Sequence, residues 1–136
     1  MPAKGPVSGM MKYLLLASAG GALGAGARYL VYAEFTRRLG ASFPWATLTV
    51  NVVGSLLIGV LSALLLERFP DGAGLRVFIF TGILGGFTTF SAYSIEVISM
   101  LERGSFGSAL TYAGSSVLLS LAACWVGLAG TRALIL

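Results

Sequence analysis

The chain has 136 residues, 57% of them hydrophobic and only 10% charged, with mean hydropathy +0.90 and a net charge of +4. Soluble domains carry about 25% charged residues, so there is too little polar material here to cover a soluble globule, and the natural solvent is lipid. The basic residues stand singly or as the pair Arg37-Arg38 and form no stripe, which argues against a nucleic-acid partner.

The chain contains no histidine, and its one cysteine, Cys124, lies in an apolar run. An intrachain disulfide is therefore impossible, a zinc-type site would lack its usual ligands, and most acid–base or nucleophilic enzymes would lack their base.

In chain order, residues 1–11 read as a mobile N-terminal tail and residues 12–136 as a single four-helix transmembrane domain. A span needs about 20 apolar residues. The first run covers residues 13–32. Lys4, Lys12 and the apolar stretch after them have the outline of a secretory signal, with Ala17-Ser18-Ala19 as its cleavage site. Three further apolar runs make a retained first span the simpler expectation.

The second run covers residues 44–66, with Pro44 suited to a first helical position and Ser42 placed to cap it. The stretch from Glu67 to Gly72 is a turn by charge, proline and glycine. The third run covers residues 77–101 and is closed by Glu102-Arg103-Gly104; the fourth covers residues 106–128. Gly20 and Gly24 are four apart, as are Gly82 and Gly86, a spacing that lets helices approach closely in lipid.

Two spans carry polar stripes. Thr47, Asn51 and Ser55 share one face of the second helix, and Ser108, Tyr112, Ser116 and Ser120 share one face of the fourth. A single stripe is accounted for by interhelical or back-bonded hydroxyls. Two stripes without a carboxylate point to a path lined by donors, and Asn51 suits either packing or such a path. Charges fall toward the span ends. Arg28 is about 22 Å along the first helix and Glu96 roughly 12 Å from the midplane, both within reach of an interface by snorkelling. No acidic residue sits at the centre of a span, where a proton- or cation-coupled carrier needs one.

The third run breaks its own pattern at "GGFTTFSAYSIE", residues 85–96, whose centre near Thr88 is also the centre of the span. A glycine pair is a sufficient cause for a plain kink. Irregular backbone at that depth must otherwise be buried in protein or line a cavity. A broken helix exposes carbonyls that suit a small cation and a second N-terminus that favours an anion. Thr88, Thr89 and Ser91 add hydroxyls there, and Phe90 and Tyr93 add rings with electropositive edges.

Four helices leave little interior, so a solute path calls for a second copy. Lys4, Lys12, Arg68, Arg76 and Arg132 lie on one side, and Arg28, Arg37, Arg38 and Arg103 on the other, five against four. Orientation is set by basic-residue asymmetry, which is nearly absent here. A chain that inserts both ways and pairs antiparallel is the expectation.

Three segments together, in order and at this spacing, resemble the Fluc (CrcB) fluoride channels of microbes: "GGALGAGARY" at 20–29, "TLTVNVVGSLLIG" at 47–59 and "GILGGFTTFSAYSIE" at 82–96. The resemblance covers nearly the whole chain. It implies an all-α membrane protein of the cell (inner) membrane, an antiparallel dual-topology homodimer with two fluoride pores. It also implies a central structural Na+ held by the backbone carbonyls of Gly85 and Thr88 from each copy. The implied fluoride pathway comprises Arg28 in a vestibule, Thr47 and Asn51, then Thr89, Phe90, Ser91 and Tyr93 at the break, and Tyr112, Ser116 and Ser120 on the fourth helix. The family commonly reads TTFSTF where this chain reads TTFSAY, so Tyr93 adds a hydroxyl and Ala92 removes one.

The rivals are a small dual-topology drug or cation exporter and a non-transporting membrane assembly subunit. The exporters resemble one another in a glutamate within the first span, whereas Glu34 lies past it here. An assembly subunit accounts for the glycines but not for a mid-membrane break beside two hydroxyl stripes.

Overall fold

The computed structural model describes residues 5–136, all helix and short connections. Helix α1 (Pro6–Leu39) starts at a proline in its first turn and stops at Gly40, whose φ of 71° ends the helix while its N–H donates to Thr36 O at 3.0 Å. Its 34 residues extend about 51 Å, well beyond a hydrocarbon core of ~30 Å. The expected tail therefore overlaps α1 from Pro6 onward, and residues 1–4 lie outside the described residues.

Helix α2 (Trp45–Arg68) has Pro44 as its N-cap rather than as its first helical residue, and no side chain caps it. The Pro44 carbonyl takes the first helical bond from Leu48 N–H at 3.2 Å, so the expected Ser42 cap is not used. The turn that follows is tied by Arg76, whose Nη1 donates to Phe69 O at 3.3 Å and Pro70 O at 3.1 Å.

The third span is two helices. Helix α3 (residues 73–87) begins as α-helix at Ala73–Arg76, widens to π-helix over Val77–Leu84, and returns to α geometry at Gly85–Phe87. Thr88 (φ −87°, ψ 159°) and Thr89 (φ −152°, ψ 119°) are extended. Helix α4 (Phe90–Glu102) then resumes, and helix α5 (Phe106–Ile135) completes the four spans. The break is where the sequence places it, but its residues are the threonines, not the glycines. Gly85 has ordinary helical angles (φ −62°, ψ −38°), and β-branched threonine is the residue type that tolerates extension.

The glycines serve packing instead. Helix α1 packs chiefly against α3, and α2 chiefly against α5. A Cβ on Gly20 would lie 2.3 Å from Phe78 O, on Gly24 2.0 Å from Ile83 O, and on Gly86 2.6 Å from Gly21 O. The two glycine pairs read from the sequence thus face each other across one crossing. On the other pair of helices a Cβ on Gly59 would meet Cys124 O at 2.2 Å, and one on Gly127 would meet Leu56 O at 2.6 Å.

Among the most deeply buried side chains are Thr47, Val50 and Tyr112, and large apolar side chains are exposed along α1, α2, α4 and α5. That distribution suits a lipid solvent. The outward faces carry the apolar surface, and polar groups turn inward.

Candidate functional site

The site is built on the interrupted helix. In an unbroken helix the Thr89 N–H would go to Gly85 O, but here it donates to Asn51 Oδ1 at 2.8 Å. Asn51 Nδ2 in turn donates to Thr89 O at 2.9 Å. The side-chain amide so pairs with both backbone groups of one residue and keeps one N–H and one lone pair to spare. The Thr89 hydroxyl caps α4, accepting from Ala92 N–H at 3.1 Å, and it lies 3.2 Å from Ser91 Oγ. Thr88 Oγ1 donates back to Leu84 O at 2.8 Å.

Leu84 O keeps its donor, Thr88 N–H at 3.0 Å, but the carbonyls from Gly85 to Thr88 lose regular helical donors by this interruption. Arg28 Nε donates to one of them, Gly86 O, at 3.0 Å. The bonds that Gly85 O and Thr88 O would have taken from Thr89 N–H and Ala92 N–H are diverted to the Asn51 and Thr89 side chains. Gly54 lets the break seat on α2, since a Cβ there would fall 2.2 Å from Thr88 Cγ2.

Beside the break lies an open groove of about 400 Å³. Of the residues expected in the pathway, it brings together Asn51, Thr89, Phe90, Tyr93, Ser116 and Ser120, along with the expected cation ligands Gly85 and Thr88. Among the described residues no carboxylate lines it. Ser116 Oγ is buried with no hydrogen-bond partner among the described residues. Such an orphan hydroxyl, sealed beside the groove that its residue lines, is an unsatisfied polar group in the groove wall. Phe90 stands 74% exposed at the rim. Its ring centroid is 5.2 Å from that of Tyr93, which is 5.5 Å from Tyr112. The Tyr93 hydroxyl, the departure from the family pattern, donates to Ala113 O on α5 at 3.0 Å. It is therefore spent on helix packing and leaves the ring to the groove.

The rest of the expected pathway is elsewhere. Thr47 and Tyr112, one turn from Asn51 and Ser116, are buried in a second cluster. Thr47 Oγ1 donates to Glu96 Oε1 at 2.5 Å, Tyr112 donates to Glu96 Oε2 at 3.2 Å, and Tyr32 from α1 bonds Thr47 Oγ1. This corrects the snorkelling expected of Glu96. Its carboxylate turns inward between the two stripes because α4 restarts after the break and presents Glu96 on the same face as Tyr93, three residues earlier. Glu96 and Tyr32 are the residues that sequence reasoning missed. Beyond the cluster opens a cavity of about 290 Å³ whose lining includes Tyr32, Ser42, Thr47, Glu96, Ser99 and Arg103.

Arg28 lines neither the groove nor this cavity; it is half-buried against the break. Ser91 is exposed at the start of α4 and Ser108 on the outer side of α5. Among the described residues there is no group of three or more His, Cys, Asp or Glu side chains able to hold a metal. The oxygens present at the break are neutral, from the backbone and from the Thr88, Thr89 and Asn51 side chains.

Residues 15–128 match the family described as CrcB-like protein, Camphor Resistance (CrcB). A Rhizobium meliloti (strain 1021) protein named Fluoride-specific ion channel FluC is 48% identical over 125 residues, covering 92% of this chain and 100% of that one. Proteins of the same name from Rhodospirillum centenum and Nitrobacter winogradskyi are 47% and 46% identical, and the alignments cover 97% and 92% of those chains.

Proposed function

This chain belongs to the CrcB family, and from that membership we propose that it is a fluoride-selective channel that lets fluoride leave the cell passively. The observation that carries the reading is the groove at the break, lined by hydroxyls, a spare amide N–H and ring edges, with an unpartnered Ser116 hydroxyl and no carboxylate. Fluoride is small and holds its water tightly. A pore must replace that water with close donors, and neutral donors do so without trapping the ion as a fixed cation would. The α4 N-terminus adds a favourable dipole for an anion.

The functional unit in this reading is an antiparallel homodimer. The groove is open on one side and Phe90 projects from its rim, as expected of a surface completed by a second copy. Gly85 and Thr88 carbonyls, relieved of their helical donors, suit a structural Na+ ion. Two oxygens per chain are half a shell, and the partner's pair would complete it. The ion would neutralise exposed carbonyl dipoles and pin the two breaks together, without itself conducting.

The test is direct. Purified protein in liposomes loaded with sodium fluoride should release fluoride to an electrode, while liposomes loaded with chloride should retain it. Equal release of the two anions would defeat the fluoride-selective reading.

A further inference from the structure

The hydroxyl protons around Glu96 can be counted. Thr47 has one and gives it to Glu96 Oε1; Tyr112 gives its proton to Oε2. An ionised carboxylate only accepts. The bond between Tyr32 and Thr47 Oγ1 therefore runs from Tyr32 to Thr47. Three protons from three helices point toward one carboxylate, and none is offered to the cavity outside.

The three bonds are not equal. Thr47 and Tyr112 donate to a charged acceptor, whereas Tyr32 donates to a neutral hydroxyl. Charge-assisted hydrogen bonds are roughly twice as strong as neutral ones. The proton most cheaply reassigned to an arriving anion is that of Tyr32. Its position agrees. Tyr32 is half-buried and lines the cavity of about 290 Å³, whereas Thr47 is 1% exposed with its oxygen engaged by both Tyr32 and Glu96.

We propose that the Tyr32 hydroxyl is a fluoride-binding donor at the cavity end of the path, turning from Thr47 to the ion as it passes. The proposal rests on the fluoride-channel reading above. It extends the path onto α1, a helix that contributes nothing to the groove at the break.

Two measurements test it. In the first, protein with 3-fluorotyrosine in place of Tyr32 is titrated in detergent with sodium fluoride and, separately, sodium chloride, and followed by fluorine NMR. The resonance at position 32 should shift and saturate with fluoride and stay still with chloride. A resonance indifferent to fluoride would overturn the proposal. In the second, Tyr32→Phe in liposomes should release fluoride about tenfold more slowly, the effect of one donor lost at the barrier. Tyr29→Phe, whose side chain on the same helix is 72% exposed, should keep the native rate. Native-rate release by Tyr32→Phe would likewise overturn the proposal. If that variant fails to elute as the native species in size-exclusion chromatography, the NMR titration, which retains the hydroxyl, decides alone. A native protein that releases no fluoride from liposomes refutes the channel reading itself, before any Tyr32 variant is compared.

Discussion

Asn51 and Thr89 pair as two strand residues do: the side-chain amide of one donates to the other's carbonyl at 2.9 Å and accepts from its N–H at 2.8 Å. One side chain from α2 thereby stabilises an extended break that lipid would otherwise penalise, and the same residue lines the groove.

Replacing Asn51 should expose that double role. Asn51→Asp keeps an acceptor for Thr89 N–H, loses the donor to Thr89 O, and adds a negative charge to an anion path. We expect fluoride release to fall below detection and thermal stability in detergent to drop by about 1–3 kcal/mol, the cost of an unsatisfied buried carbonyl. Native release by Asn51→Asp would remove the amide from the path.

Phe90 and Tyr93 separate ring chemistry from packing. Phe90 is 74% exposed within one chain, and its ring packs only lightly there, against Tyr93 at 5.2 Å between centroids, so isoleucine keeps most of the bulk and removes the ring edge. Phe90→Ile should elute like the native protein on size exclusion yet conduct at least about a hundredfold more slowly, equivalent to ~2.7 kcal/mol at the barrier. A native elution volume with native flux would reduce the ring to filler.

Tyr93→Phe tests the opposite outcome. The Tyr93 hydroxyl is bonded to Ala113 O, outside the groove, so its loss should cost about 0.5–1.5 kcal/mol in unfolding and leave fluoride flux close to native. A large fall in flux with unchanged stability would mean that the hydroxyl touches the ion.

The α1–α3 crossing depends on bare backbone. Gly24→Ala places a methyl 2.0 Å from Ile83 O, whereas Gly26→Ala meets nothing within 4 Å. The first should abolish the folded species in size-exclusion chromatography. The second should be neutral or stabilising by up to about 1 kcal/mol, the helix propensity gained over glycine.

Much of this was legible in the sequence. Four apolar runs marked four spans, the small-residue pairs marked close helix contacts without saying which helices meet, and TTF at mid-span marked the site of the break. The mechanism of the break was not legible, because a glycine pair and a threonine pair adjoin and only backbone angles separate them. The π-helix at Val77–Leu84 has no sequence mark, since an unbroken apolar run reads as ordinary helix. Glu96 was misplaced because residue counting gives depth but not the face on which a helix restarts. Measured from a span start at residue 13, Arg28 falls toward an interface. With α1 running from Pro6 to Leu39, it sits only about 8 Å past the helix midpoint, beside the orphaned Gly86 carbonyl.

Passive conduction through a donor-lined groove is tested by fluoride release from liposomes under three conditions: no proton gradient, an inward gradient and an outward gradient. With Glu96 held by two hydroxyls and no carboxylate in the groove, the release rate should be the same in all three. Release that requires a proton gradient, or reverses with its direction, would contradict a channel and make the protein a coupled carrier.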